Sequence, residues 1–215
     1  MTRRFLSVAF AAAVTATALV SAANPKFTSV WKSPDAGSVS FAGKKLAALV
    51  ISGDESLRIS GEEALVRELT GRGFQAVASY RIIPAPVLKN TDEAKVWYEK
   101  SGVEGVIALR PVKKESRTAY NPGTWVSPYY GTMWGYYGYG WGSVYIPGSV
   151  DRDEVIIVES TIYSLPKNAL LWGGVSETKD PKTLQKFIGD LVKASVEQLQ
   201  EQGFAKSVPK KIPKA

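Results

Sequence analysis

The sequence predicts an α/β fold: a single mixed sheet in the order β-α-β-α-β-(long aromatic/glycine loop)-β-β-α, with the helices packed on the sheet. Three observations predict it. Short apolar runs alternate with helix patterns through the first half, as a partly parallel sheet requires. A run rich in Val, Ile, Thr and Tyr, from Asp153 to Leu165, is followed after the turn Pro166-Lys167-Asn168 by a second run from Ala169 to Glu177, which reads as an antiparallel hairpin. A long apolar repeat of helical period then closes the domain. A chain of 215 residues suits one domain with a core of ordinary size.

Residues 1–23 read as a signal peptide: Arg3 and Arg4, the uncharged apolar stretch Phe5 to Val20, then the small residues Ser21-Ala22-Ala23. The other reading is a retained anchor, since the stretch is about long enough to span a bilayer. Either way an exported, periplasmic location is expected. Cleavage takes the formal net charge from +7 to +5 by removing the two arginines. Residues 24–43 form an extended lead-in with Trp31, Pro34, Asp35 and Gly37, and room for one extra short strand. The α/β domain is expected over 44–203.

Leu46-Ala-Ala-Leu-Val-Ile51 is a continuous apolar run, suited to a strand covered on both faces. Ser60-Gly-Glu-Glu63 has the form of a capping box, so a helix is expected from there to about Arg72, with Leu65 and Leu69 inward and Gly73 as the stop. Glu62, Glu63 and Arg67 read as helix-surface charges, and Asp54-Glu55 as a solvated loop. Phe74 to Tyr80 is the second strand. Asn90-Thr91-Asp92-Glu93 opens a second helix with Ala94, Trp97 and Tyr98 as its buried face and Gly102 at its end. Val103 to Val112 is the third strand. Asp180-Pro181 reads as an acidic N-cap followed by proline, opening a last helix that buries Leu184, Phe187, Ile188, Leu191, Val192, Val196 and Leu199 before Gly203. Residues 204–215, with four lysines and two prolines, read as a disordered basic tail.

The chain has no cysteine and no histidine. That excludes disulfides, thiolate and His-based catalysis, a His- or Cys-ligated zinc site and a lipid-anchoring cysteine. No Gly-x-Ser-x-Gly elbow occurs. Gly37 to Lys45 fails as a phosphate loop because it precedes a strand, and its spacing is wrong. No catalytic residue, metal or cofactor is expected, and a modest charge excess without a recognition motif gives no reason to expect nucleic acid. Asp151, Asp153 and Glu154 cluster just after the aromatic segment, and the one enzymatic alternative is a carboxylate-dependent hydrolase using Asp153 or Glu154.

One segment stands apart. From 118 to 150 there is no charged residue, yet it holds three of the six tryptophans and seven of the ten tyrosines, interleaved with glycine. Its composition suits neither helix nor strand, so a long loop inserted between two strands is expected. Trp125, Tyr129, Tyr130, Trp134, Tyr136, Tyr137, Tyr139 and Trp141 are its candidate binding residues. As a contact surface they would meet an envelope protein, stack on a glycan or peptidoglycan, or touch a membrane interface; a loose flap over the sheet edge is the plainer alternative. A contact loop of this kind is expected to be removable without loss of the fold. Oligomeric state is left open.

Phe27-Thr-Ser-Val-Trp31-Lys-Ser-Pro34-Asp35, Gly61-Glu-Glu-Ala-Leu-Val-Arg-Glu-Leu69 with Gly73, and Leu171-Trp172-Gly-Gly-Val-Ser-Glu-Thr178 resemble a group of uncharacterised bacterial envelope proteins, many of them lipoproteins. The group has no established function, so the resemblance carries over no catalytic residue. The element order also looks like the amino-terminal domain of the Tol–Pal translocation protein, the penicillin-binding-protein activators and the curli-secretion lipoproteins. That likeness implies a non-catalytic module that docks on other envelope components.

Overall fold

The computed structural model describes residues 25–112, 125–144, 155–179 and 183–204. Its elements run β1 (Lys26–Lys32), β2 (Lys45–Val50), α1 (Glu55–Gly71), β3 (Gln75–Ala78), α2 (Thr91–Lys100), β4 (Gly105–Val112), α3 (Met133–Gly142), β5 (Val155–Ser164), β6 (Ala169–Lys179) and α4 (Leu184–Glu201). The six strands form one open sheet in the order β1-β6-β5-β4-β2-β3. β2 is parallel to both β3 and β4, while β4, β5, β6 and β1 pair antiparallel in turn. The mixed α/β sheet is thus the one the sequence predicts, with two additions: the lead-in supplies β1 at one edge, and the aromatic segment supplies α3.

β2 explains the layering. Its side chains alternate between two cores, as a strand of period two must. Leu46, Ala48 and Val50 meet Leu57, Leu65 and Leu69 of α1 and Phe187, Ile188, Leu191, Val192 and Val196 of α4. Ala47 and Leu49, with Ile51 just beyond the strand, meet Ala94 and Tyr98 of α2 and Met133, Tyr136, Tyr137 and Trp141 of the aromatic segment. Helices therefore cover both faces, which is why β2 and β4 carry near-continuous apolar runs. The edge strand β1 is tied down by Phe27 edge-on to Trp172 at 5.6 Å, and by Lys32, whose Nζ donates to the Gln202 carbonyl at the end of α4 at 2.7 Å.

Several boundaries differ from the sequence reading. α1 starts at Glu55, because Asp54 is its N-cap: the carboxylate accepts from the Leu57 amide at 2.9 Å. Ser60 lies inside the helix, with its hydroxyl turned back onto the Ser56 carbonyl at 2.6 Å. The N-cap of α4 is Thr183, whose side chain accepts from the Lys186 amide; Asp180 and Pro181 lie outside the described residues. Trp97 is 39% exposed, with Lys100 over its ring. Ala94 and Tyr98, one turn apart, take the whole inward stripe of a short helix and turn Trp97 outward. Phe204, assigned to the tail, is buried against Phe41. Residues 1–24 and 205–215 lie outside the described residues, as do 113–124 and 145–154 with Asp151, Asp153 and Glu154.

Glu62 is the sharpest departure. It is no surface charge but a fully buried carboxylate. Its two oxygens accept from the Val50 amide at 3.1 Å and the Tyr80 amide at 2.8 Å. The β2–β3 ladder ends at Ala48 and Ala78, so the side chain takes up backbone donors just where strand pairing stops. Burial raises its pKa from an ordinary 4.5 to about 7, against the lowering effect of the two amide bonds. Between those values the folded state holds a proton that the unfolded state releases. Stability supplied by this group is therefore full below pH 4.5 and declines as pH rises towards 7. The expected loss is about 3 kcal/mol across that window. Urea unfolding at a series of pH values should show this slope in the wild type. Glu62→Gln should remove that part of the slope whatever it does to absolute stability.

Candidate functional site

Residues 125–144 of the aromatic segment form a packed layer. Four glycines and five aromatic rings in ten residues make α3 a helix of poor intrinsic propensity. Packing decides its conformation instead. Thr132 is the N-cap, its hydroxyl accepting from the Gly135 amide at 3.1 Å. The Asn168 side chain, in the β5–β6 turn, accepts from the Met133 amide at 3.1 Å, and the Leu170 amide donates to the Gly131 carbonyl at 3.0 Å. Glycines let the layer approach the sheet. A Cβ on Gly140 would stand 2.7 Å from Ile51 Cδ1, and one on Gly173 of β6 would stand 2.6 Å from the Trp125 ring.

Beneath the layer lies a buried ion pair. Arg110 and Glu159 are directly opposite across β4 and β5, 3% and 0% exposed. Arg110 Nε donates to Glu159 Oε2 at 2.8 Å and Nη1 to the Ser143 hydroxyl at 3.2 Å. Tyr130 donates its hydroxyl to Glu159 Oε1 at 2.7 Å, and Tyr136 donates to Oε2 at 3.2 Å. The guanidinium also lies 4.9 Å from the Tyr139 ring centroid. Tyr163 in turn donates to the Tyr130 carbonyl at 2.7 Å. Burial first, then the Glu159 charge, pushes the Tyr136 phenol well up, so it stays a neutral donor. Every polar contact of the pair named here, apart from the pair itself, is made by the aromatic segment.

The eight candidate binding residues therefore divide. Trp125, Tyr130, Tyr136, Tyr137 and Trp141 are buried and form core, not contact surface. Removing the segment would uncover the core side chains that these five rings cover. Tyr129 is 60% exposed and stacks on the half-buried Tyr139 at 5.3 Å. Trp134 is half-buried and lines a groove of about 470 Å3 with Lys95 and Glu99 of α2 and Asn168 of the β5–β6 turn. The accessible part of the site is thus the outer rim of the layer: Tyr129 and Tyr139 on one side, Trp134 and its groove on the other.

Arg110, Glu159 and Glu62 were missed as organising residues. A signal existed: Arg110 and Glu159 are charges of opposite sign in the interior of two apolar strand runs, away from the acidic residues at the starts of those runs. A buried charge needs a partner, and pairing those strands supplies it.

Removing one partner of the pair leaves a stranded charge, and Arg110→Ala or Glu159→Ala should each cost about 3–5 kcal/mol. The Arg110→Ala, Glu159→Ala double variant should fall short of the summed single costs by about 2 kcal/mol in a urea-unfolding cycle. Simple additivity would show that the two side chains do not act as a unit.

No family model matches the chain, and no curated protein matches it in sequence. Solved structures of PelC from Paraburkholderia phytofirmans are similar to it. A dodecamer in space group P6 gives a TM-score of 0.46 at 14% identity, covering 82% of this chain and 97% of that chain. A dodecamer of a point variant, in space group C2, gives 0.45 at 14% identity, covering 83% of this chain and 98% of that chain.

Proposed function

We propose that this chain is an exported, non-catalytic binding module of a bacterial cell envelope, with the rim of the aromatic layer as its contact surface. The observation that carries this reading is the packing of that layer. Five of its eight candidate rings are buried in the core, and the three that reach the surface pack on them: Tyr129 on Tyr139, Tyr139 on Tyr130 and Trp134 on Tyr137. Fixed aromatic side chains lose little freedom on binding, which is what makes them effective anchors. Export rests on the signal-like first 23 residues, and the envelope on the resemblance of the lead-in, α1 and β6 motifs to envelope proteins. The absence of Cys and His supports binding over catalysis by removing the side chains most used for chemistry.

A photo-crosslinking phenylalanine analogue placed at Tyr129 in living cells tests this. Tyr129 is exposed, so replacing it leaves the core intact. Discrete envelope adducts are expected from this position and none from the same probe at Lys193, an exposed residue of α4 on the opposite face. Identical products from both positions, or none from Tyr129, would overturn the reading.

A further inference from the structure

We infer that the groove beside Trp134 is a saccharide site in which a pyranose ring stacks on the indole. This rests on the reading of the layer's rim as a contact surface, and it names what is held there. The platform is packed from behind: the Trp134 ring lies 5.9 Å from Tyr98 and 6.2 Å from Tyr137. Val103 and Leu165 extend the apolar wall.

The polar groups around that wall are of both kinds. Lys95 donates and Glu99 accepts, one turn apart on α2, and neither is ion-paired among the described residues. Asn168 spends its Oδ1 on the Met133 amide, which leaves its Nδ2 hydrogens for a ligand. An apolar floor ringed by a cation, an anion and an amide matches a pyranose, with its C–H face and its hydroxyls around the edge. A phosphate or carboxylate ligand would meet the Glu99 charge. A purely apolar ligand would strip water from Lys95 and Glu99 without replacing it. At about 470 Å3 the groove falls in the range of small-ligand sites, about 300–1,000 Å3.

The test is a titration of the purified chain with triacetylchitotriose, cellotriose and muramidase-released muropeptides, followed by tryptophan fluorescence and calorimetry. At least one probe should bind saturably, and which one binds identifies the sugar. Trp134→Ala should weaken binding roughly tenfold or more, and Trp134→Phe should keep most of it. Because Trp134 packs against core rings, Glu99→Gln is the second variant: Glu99 is exposed, so the melting temperature should hold while binding weakens by about three- to tenfold. No saturable binding of any probe, or binding unchanged in both Trp134→Ala and Glu99→Gln, overturns the proposal. If the Tyr129 crosslinks persist while no probe binds, the saccharide proposal falls and the contact-surface reading stands. If both fail, both fall.

Discussion

The ion pair of Arg110 and Glu159 is the constraint on which one whole face of the molecule depends. Two buried charges sit opposite each other on the two central strands of the sheet. Left bare, they would draw water onto a face that α2 and β6 need dry. A buried pair is tolerated only when its remaining hydrogen-bonding capacity is met. Tyr130, Tyr136 and Ser143 supply those bonds, and the Tyr139 ring lies near the guanidinium. The aromatic segment is thus anchored by the pair, and the pair is made tolerable by the segment. Neither half of this arrangement makes physical sense without the other.

That dependence explains a composition which, taken alone, suggests a loose loop. The segment needs many rings because it must cover a broad apolar face with few residues. It needs glycine at Gly140, where a Cβ would press on Ile51, and it is met by a glycine of the sheet at Gly173, where a Cβ would press on the Trp125 ring. Hydroxyls are needed because the surface it covers holds charge, which is why tyrosine outnumbers phenylalanine there. The lack of charge within the segment follows as well: a further ion beneath the layer would have no partner. The rings left at the surface, Tyr129, Trp134 and Tyr139, form the rim of the layer, and it is there that the proposed contacts would be made.

The sheet and three of its helices were legible because their signals are local. Leu46 to Ile51, Val103 to Val112 and the hairpin around Pro166-Lys167-Asn168 show strand chemistry directly, and Asn90 and Gly73 mark helix ends. α3 was not legible, since its helix depends on packing against α2, Ile51, β4, β5 and the β5–β6 turn. Glu62 was misread because its sequence neighbours, Glu63 and Arg67, are ordinary helix charges; only the position of α1 over the end of β2 turns it inward. Trp97 was misread in the opposite direction, as hydrophobicity was weighed without the width of the stripe that a ten-residue helix can bury. Of the candidate site, the segment was legible and its division into core and rim was not, because that division depends on contacts with distant strands.

The central claim is that the glycine–aromatic segment is a folded layer of the domain. Native-state amide hydrogen exchange across α3 tests it most directly. The account predicts protection of the amides from Tyr136 to Trp141 close to that of β4 and β5, the strands whose buried charges the layer covers. Exchange of those amides at the rate of an unfolded chain, with β4 and β5 still protected, would contradict it.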